Sequence, residues 1–239
     1  MQIKTEAIVI HAIRYGEADL IVKMFTKDFG IVSFMVKRVL KSKKGKLRAS
    51  FFQLGSILEI DTVFKNKKGL DLLKEVKPIY HFNSLHTIIV KSSIVTFLLE
   101  ILNNVLIEEQ PDKELYQFIC DSLVYLDQNQ EITLYHMVFL LELTSFLGCY
   151  PDTSNSGAEE FDLETASYIS YSKNKDLLTG ELLANFNLLL GTKFDELKKI
   201  SIAKTQRKEL LNSILKYYQF HVPGYREPKS LIVLEQLFS

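Results

Sequence analysis

Two hydrophobic periods divide the chain. Up to about residue 80, apolar positions come in short runs or alternate with polar ones; beyond it they recur at intervals of three and four. Thr5–Arg14 is rich in β-branched residues and predicts a first strand, closed by the turn Tyr15-Gly-Glu-Ala-Asp19. Leu20–Thr26 is a second strand, Lys27-Asp-Phe-Gly30 a second turn, and Ile31–Val39 a third strand with apolar residues on both faces. Ser56–Phe64 alternates like a half-buried strand; Lys65-Asn-Lys-Lys-Gly69 turns the chain into a fifth strand over Leu70–Val76. Five short strands with turn signals between them predict a small closed barrel.

The helical period predicts helices over Ile88–Leu106, Lys113–Leu126, Thr133–Leu147, Gly180–Leu190, Ala203–His221 and Ser230–Phe238. Gly148-Cys-Tyr-Pro151 stops the third, and the acidic residues 152–165 read as a loop. The expected fold class is therefore α+β, strands first and helices after, with a boundary near Pro78–Asn83: a barrel domain over 1–80 and a helical domain over 81–239.

Charge sharpens that division. The chain is neutral, with 29 Lys and Arg against 29 Asp and Glu. Residues 1–80 hold 16 of the bases and only 8 of the acids, leaving 13 against 21 for the remainder. Such asymmetry suits the first module to an anionic partner. Seven bases and no acid fall between Lys37 and Arg48. A charge run is commonly just a solvated loop. Three features favour a nucleic-acid backbone instead: a single sign of charge, a place between consecutive barrel strands, and a second basic turn at Lys65, Lys67 and Lys68. Phe34, Phe51, Phe52 and Phe64 are the nearby aromatics; Phe34 and Phe64 fit the core better than a stacking surface.

Catalytic patterns are absent. There is no GxGxxG, no phosphate-binding loop, no GxSxG and no HExxH, and the five histidines share no metal-ligand spacing. Asp152–Gly157 begins like a calcium loop, but Leu163 stands where the last carboxylate is needed. Two cysteines without a CxxC indicate a reducing compartment, and with neither a signal peptide nor a membrane span expected, the predicted location is the cytoplasm. A protein-interaction adaptor, with the helical half as its working part, is the alternative to a nucleic-acid binder.

One resemblance covers almost the whole chain. Gly16-Glu-Ala-Asp19, Phe25-Thr26 and Gly30-Ile-Val-Ser-Phe-Met-Val-Lys37 before a basic loop resemble the opening of the RecO family of bacterial recombination mediators. Leu70–Glu75 resembles that family's last barrel strand. Phe139-Leu-Leu-Glu-Leu143 with Leu147-Gly-Cys-Tyr-Pro151 is similar to its helix and GYxP segment, and Ser230-Leu-Ile-Val-Leu234 to its C-terminal helix. The ordered set carries the resemblance rather than any one motif.

The resemblance implies a five-stranded OB-fold barrel, a helical C-terminal domain and no catalysis. It implies binding of single- and double-stranded DNA, annealing of complementary strands, and partnership with RecR and the acidic tail of single-stranded DNA-binding protein. Through these it implies help in loading RecA, in some pathways with RecF. The DNA-binding candidates are Lys37, Arg38, Lys41, Lys43, Lys44, Lys46 and Arg48, followed by Arg14, Lys65, Lys67 and Lys68. For the acidic tail, Lys198, Lys199, Lys204, Arg207 and Lys208 supply the densest positive charge of the helical half; ordinary exposed helix residues look the same. Many members carry four cysteines as a zinc site after GYxP. Here Asp152–Phe161 has none, so no metal or other cofactor is expected. Arg38 also departs from the glycine that many members have there.

Overall fold

The computed structural model describes residues 2–41, 47–63, 70–106, 110–170 and 173–238. Strands β1 (Gln2–Tyr15), β2 (Asp19–Thr26), β3 (Gly30–Val36), β4 (Ile57–Val63) and β5 (Asp71–Pro78) close into a barrel in the order β1-β2-β3-β5-β4. The β3–β5 pairing is parallel and the others antiparallel, the arrangement of an OB-type barrel. Ala7, Val9, Val22, Met24, Phe34, Val36, Leu58, Ile60 and Val76 fill its interior.

The continuous apolar run Ala7-Ile-Val-Ile10 has a structural reason. Ala7 and Val9 belong to the interior cluster, while Ile8 and Ile10, on the opposite pleat, are equally buried. Helix α1 (Ile89–Val105) packs on β1 and covers that outer face. Helix α2 (Lys113–Gln128) adds Tyr116, whose ring centroid lies 6.0 Å from that of Phe25. Gly30 marks another close approach: its φ is +66°, and a Cβ there would sit 2.6 Å from the Gln110 carbonyl oxygen.

These contacts carry the first compact unit to Gln128, although the secondary structure changes type between Pro78 and Ile89. The segment joining barrel to helices is pinned from the far end of α2. Asp127 is buried and accepts the backbone N–H groups of Asn83 (3.1 Å), Ser84 (2.7 Å) and Leu85 (2.7 Å). The equally buried Lys91 ammonium donates to the Ser84 hydroxyl at 2.8 Å and to the Asp127 carbonyl at 2.7 Å. Burial pushes the Asp127 carboxyl up, but the donated N–H groups outweigh it and hold the group below its ordinary range. Burial shifts Lys91 downward, opposed by Asp127.

The second compact unit spans 129–239. Helices α3 (Tyr135–Phe146), α4 (Gly180–Leu189), α5 (Lys204–His221) and α6 (Leu231–Phe238) lie close to their expected bounds. Two features correct the expectation of an all-helical domain. A three-stranded antiparallel sheet forms from β6 (Glu160–Asp162), β7 (Ser167–Ile169) and β8 (Leu177–Thr179), with β6 central, so the acidic loop expected over 152–165 ends in a strand. A 3-10 turn also occupies Phe194–Lys199. Phe161 anchors the sheet, fully buried against Tyr168, Phe186 and Tyr217.

Buried Asp162 ties this segment together. One carboxylate oxygen accepts the N–H groups of Glu164 (2.9 Å) and Thr165 (3.4 Å); the other accepts the Asn174 side-chain amide at 2.7 Å. Asp152 is spent on the Ser154 N–H at 2.9 Å. No group of three or more His, Cys, Asp or Glu side chains is placed to hold a metal among the described residues, and the segment contains no cysteine. The zinc site of many relatives therefore does not fit this segment; hydrogen bonds do the tying here. Asp162→Ala is expected to lower stability by about 2–4 kcal/mol, because it strands buried donors. Thermal unfolding measures this, and a zinc chelator leaves the wild-type midpoint unmoved.

Candidate nucleic-acid interface and a cation-rimmed cavity

The candidate interface lies where the β1–β2 turn meets the exit of β3. Arg14 pairs across from Leu20, and Leu20 from Val36, so one strand separates the chain ends that carry Arg14 and Lys37. The turn and the basic stretch are joined directly. The Leu40 N–H donates to the Ala18 carbonyl at 2.9 Å, the Arg38 N–H to Asp19 Oδ1 at 2.7 Å, and Lys41 Nζ lies 2.9 Å from Glu17 Oε2. Arg38 has φ +57°, a left-handed conformation that side chains with a Cβ rarely take and that surrounding bonds must hold.

The far end of the stretch is anchored differently. Leu47 and Phe51 pack on the barrel core, Phe52 is buried within it, and a 3-10 turn spans Ala49–Phe52. The Arg48 guanidinium lies 5.7 Å from the Phe51 ring centroid, a cation–π contact. Arg14, Lys37, Arg38, Lys41 and Arg48 are all exposed. Lys43, Lys44, Lys46, Lys65, Lys67 and Lys68, and Phe64 with them, lie outside the described residues.

Among the aromatics, Phe34 and Phe52 are core and Phe51 is half-buried. The exposed ring is Tyr15, at 55%. Sequence reading passed over it as part of a turn. Its signal was position, since it ends a strand beside Arg14 and the first turn glycine.

In the second unit, α3, α5 and α6 enclose a cavity of about 530 Å³. Met137, Leu211, Leu234 and Phe238 give it apolar walls; Lys204, Arg207 and Lys208 line it with positive charge. Arg207 Nε is buried and donates to no described residue. Lys208 lies 3.4 Å from Glu235, which also lines the cavity. His136 forms part of the wall and packs on Phe238; burial, and secondarily the nearby Arg207, push its imidazole down to about 3, so it is neutral. Three of the five expected tail-binding residues thus meet at one cavity. Lys198 lines a separate, smaller one that Arg207 also borders, and Lys199 is exposed on the 3-10 turn outside both linings.

A five-stranded barrel with a basic stretch at one end, followed by a helical unit, defines a class of small OB-type modules joined to helical domains. The family models for the N-terminal and C-terminal parts of recombination protein O match residues 1–82 and 86–231. The DNA repair protein RecO of Christiangramia forsetii is 39% identical over 238 residues, and that of Flavobacterium psychrophilum 39% identical over 239, each match covering both chains completely. The RecO of Phocaeicola vulgatus is 32% identical over 240 residues, covering 99% of each chain. The chain belongs to the RecO family of DNA repair proteins.

Proposed function

We propose that this chain is a non-catalytic recombination mediator that binds single- and double-stranded DNA through the basic end of its barrel and anneals complementary strands. The observation that carries the reading is the joined cluster of Arg14, Lys37, Arg38 and Lys41, exposed at one barrel end, with Arg48 following. Annealing brings two like-charged strands together. A one-signed surface that neutralises phosphates on both lowers their repulsion without reading bases. Lys43, Lys44, Lys46, Lys65, Lys67 and Lys68 add to the same charge along the sequence. Tyr15 is the ring offered for stacking on an unpaired base. Partnership with RecR, and through it RecA loading on coated DNA, in some settings with RecF, belongs to the same reading and to a cytoplasmic protein. Stopped-flow annealing of complementary oligonucleotides tests it: acceleration that vanishes at high salt supports it, and no acceleration removes it.

The cavity between α3, α5 and α6 suits the acidic tail of single-stranded DNA-binding protein. Such a peptide needs an apolar recess with cations at its rim. Leu211, Leu234 and Phe238 provide the first, and Lys204, Arg207 and Lys208 the second. Lys198 and Lys199 are peripheral to it. Arg207→Glu with Lys208→Glu is expected to weaken binding of a tail peptide by at least tenfold in a fluorescence anisotropy titration. Unchanged affinity would leave these side chains as ordinary surface residues, and the helical half would need another role.

A further inference from the structure

We infer that the Glu17-Ala18-Asp19 turn sets the DNA affinity of the basic stretch, with Asp19 as its positioning residue and Glu17 as a built-in competitor for phosphate. The inference rests on the DNA-binding role proposed above. Two acids stand beside the cations, and simple electrostatics treats them alike: each repels DNA. Their contacts differ. Asp19 spends its Oδ1 on the backbone N–H of Arg38 at 2.7 Å and touches no cation of the stretch in that bond. It holds a residue whose φ of +57° would otherwise relax, and with the Leu40-to-Ala18 hydrogen bond it fixes where Arg38 and Lys41 leave the barrel. Glu17 instead faces Lys41 Nζ at 2.9 Å, with both side chains open to water. An exposed pair of this kind is weak and exchanges readily for another anion. Glu17 therefore occupies the site that a phosphate would take.

The two acids should then act with opposite signs. All measurements use the full chain and a fluorescent single-stranded oligonucleotide across a salt series. Glu17→Gln is expected to tighten binding several-fold and steepen the log–log slope by up to about 0.7, one more counterion released. Asp19→Ala also removes a negative charge, yet is expected to weaken binding several-fold and flatten the slope. Asp19→Asn, whose amide oxygen still accepts from Arg38, is expected to bind at least as tightly as the wild type. Tighter binding by Asp19→Ala overturns the positioning role, as does an Asp19→Asn variant that behaves like Asp19→Ala. A Glu17→Gln variant no tighter than the wild type overturns the competitor role. A wild type that binds without salt dependence overturns the DNA-binding role itself, and this inference with it. Amide exchange in the wild type gives a reading independent of any variant's folding. Arg38 is exposed but its N–H is expected to exchange slowly; exchange at the open-chain rate overturns the brace.

Discussion

Changing Lys37, Arg38, Lys41 and Arg48 together to alanine is expected to weaken single-stranded DNA binding by about two orders of magnitude near 0.1 M salt. The estimate follows from counterion release. Each phosphate contact on a single strand contributes about 0.7 to the log–log salt slope, or about fivefold in affinity near 0.1 M, so four lost contacts flatten the slope by up to about 3. The four side chains are exposed, so their removal leaves the barrel core intact. The cation–π contact of Arg48 with Phe51 is the one packing interaction lost, and it is worth about 0.5–1 kcal/mol at an exposed site. The thermal midpoint is therefore expected to stay near that of the wild type while affinity falls. A variant that binds like the wild type would assign these charges to solvation alone and favour the adaptor reading.

Asp127→Ala is expected to cost about 3–5 kcal/mol, the largest stability effect outside the hydrophobic core. Removing the carboxylate strands the N–H groups of Asn83, Ser84 and Leu85 and leaves the Lys91 ammonium buried with less negative charge around it. For a chain of this size that lowers the thermal midpoint by about 6–20 °C. The pH dependence has a definite sign. Asp127 is held below its ordinary carboxylate range when folded. Its contribution is therefore full above the unfolded value near pH 4 and is lost as pH falls through the lower folded value. The gap between wild type and Asp127→Asn is expected to be constant above about pH 5 and to close in acid. A gap that widens in acid would show that the carboxyl is neutral in the fold.

The elements were legible because each is long enough to show its period. Strand β1 and helices α1 and α5 extend over many residues, and the turns between barrel strands carry Gly16 and Gly30. Strands β6, β7 and β8 were not legible. Three residues each cannot establish alternation, and their pairing depends on Phe161 and Asp162 contacting residues distant in sequence. The attachment of α1 and α2 to the barrel was legible only in part. The double-sided apolar run Ala7–Ile10 announced a cover for β1 but not its identity. Asp127 looked like any acid near a helix end; its partners sit more than forty residues upstream, at Asn83–Leu85.

The candidate sites divide the same way. The basic stretch was legible because it is continuous in sequence, and charge density needs no tertiary information. The cavity was half legible. Its cations cluster along one turn of α5, but its apolar walls come from α3, α5 and α6. The roles of Glu17 and Asp19 were hidden, since an acidic turn beside a basic loop reads as simple charge balance until the backbone bond to Arg38 is seen.

The central claim is that the barrel's basic end holds nucleic-acid backbone. Titration of the wild-type chain with a single-stranded oligonucleotide over a salt series tests it most directly. The account predicts a linear log–log plot whose slope corresponds to at least three or four phosphate contacts, roughly −2 to −3 or steeper, with little dependence on base sequence. A shallow slope, near zero, would contradict it.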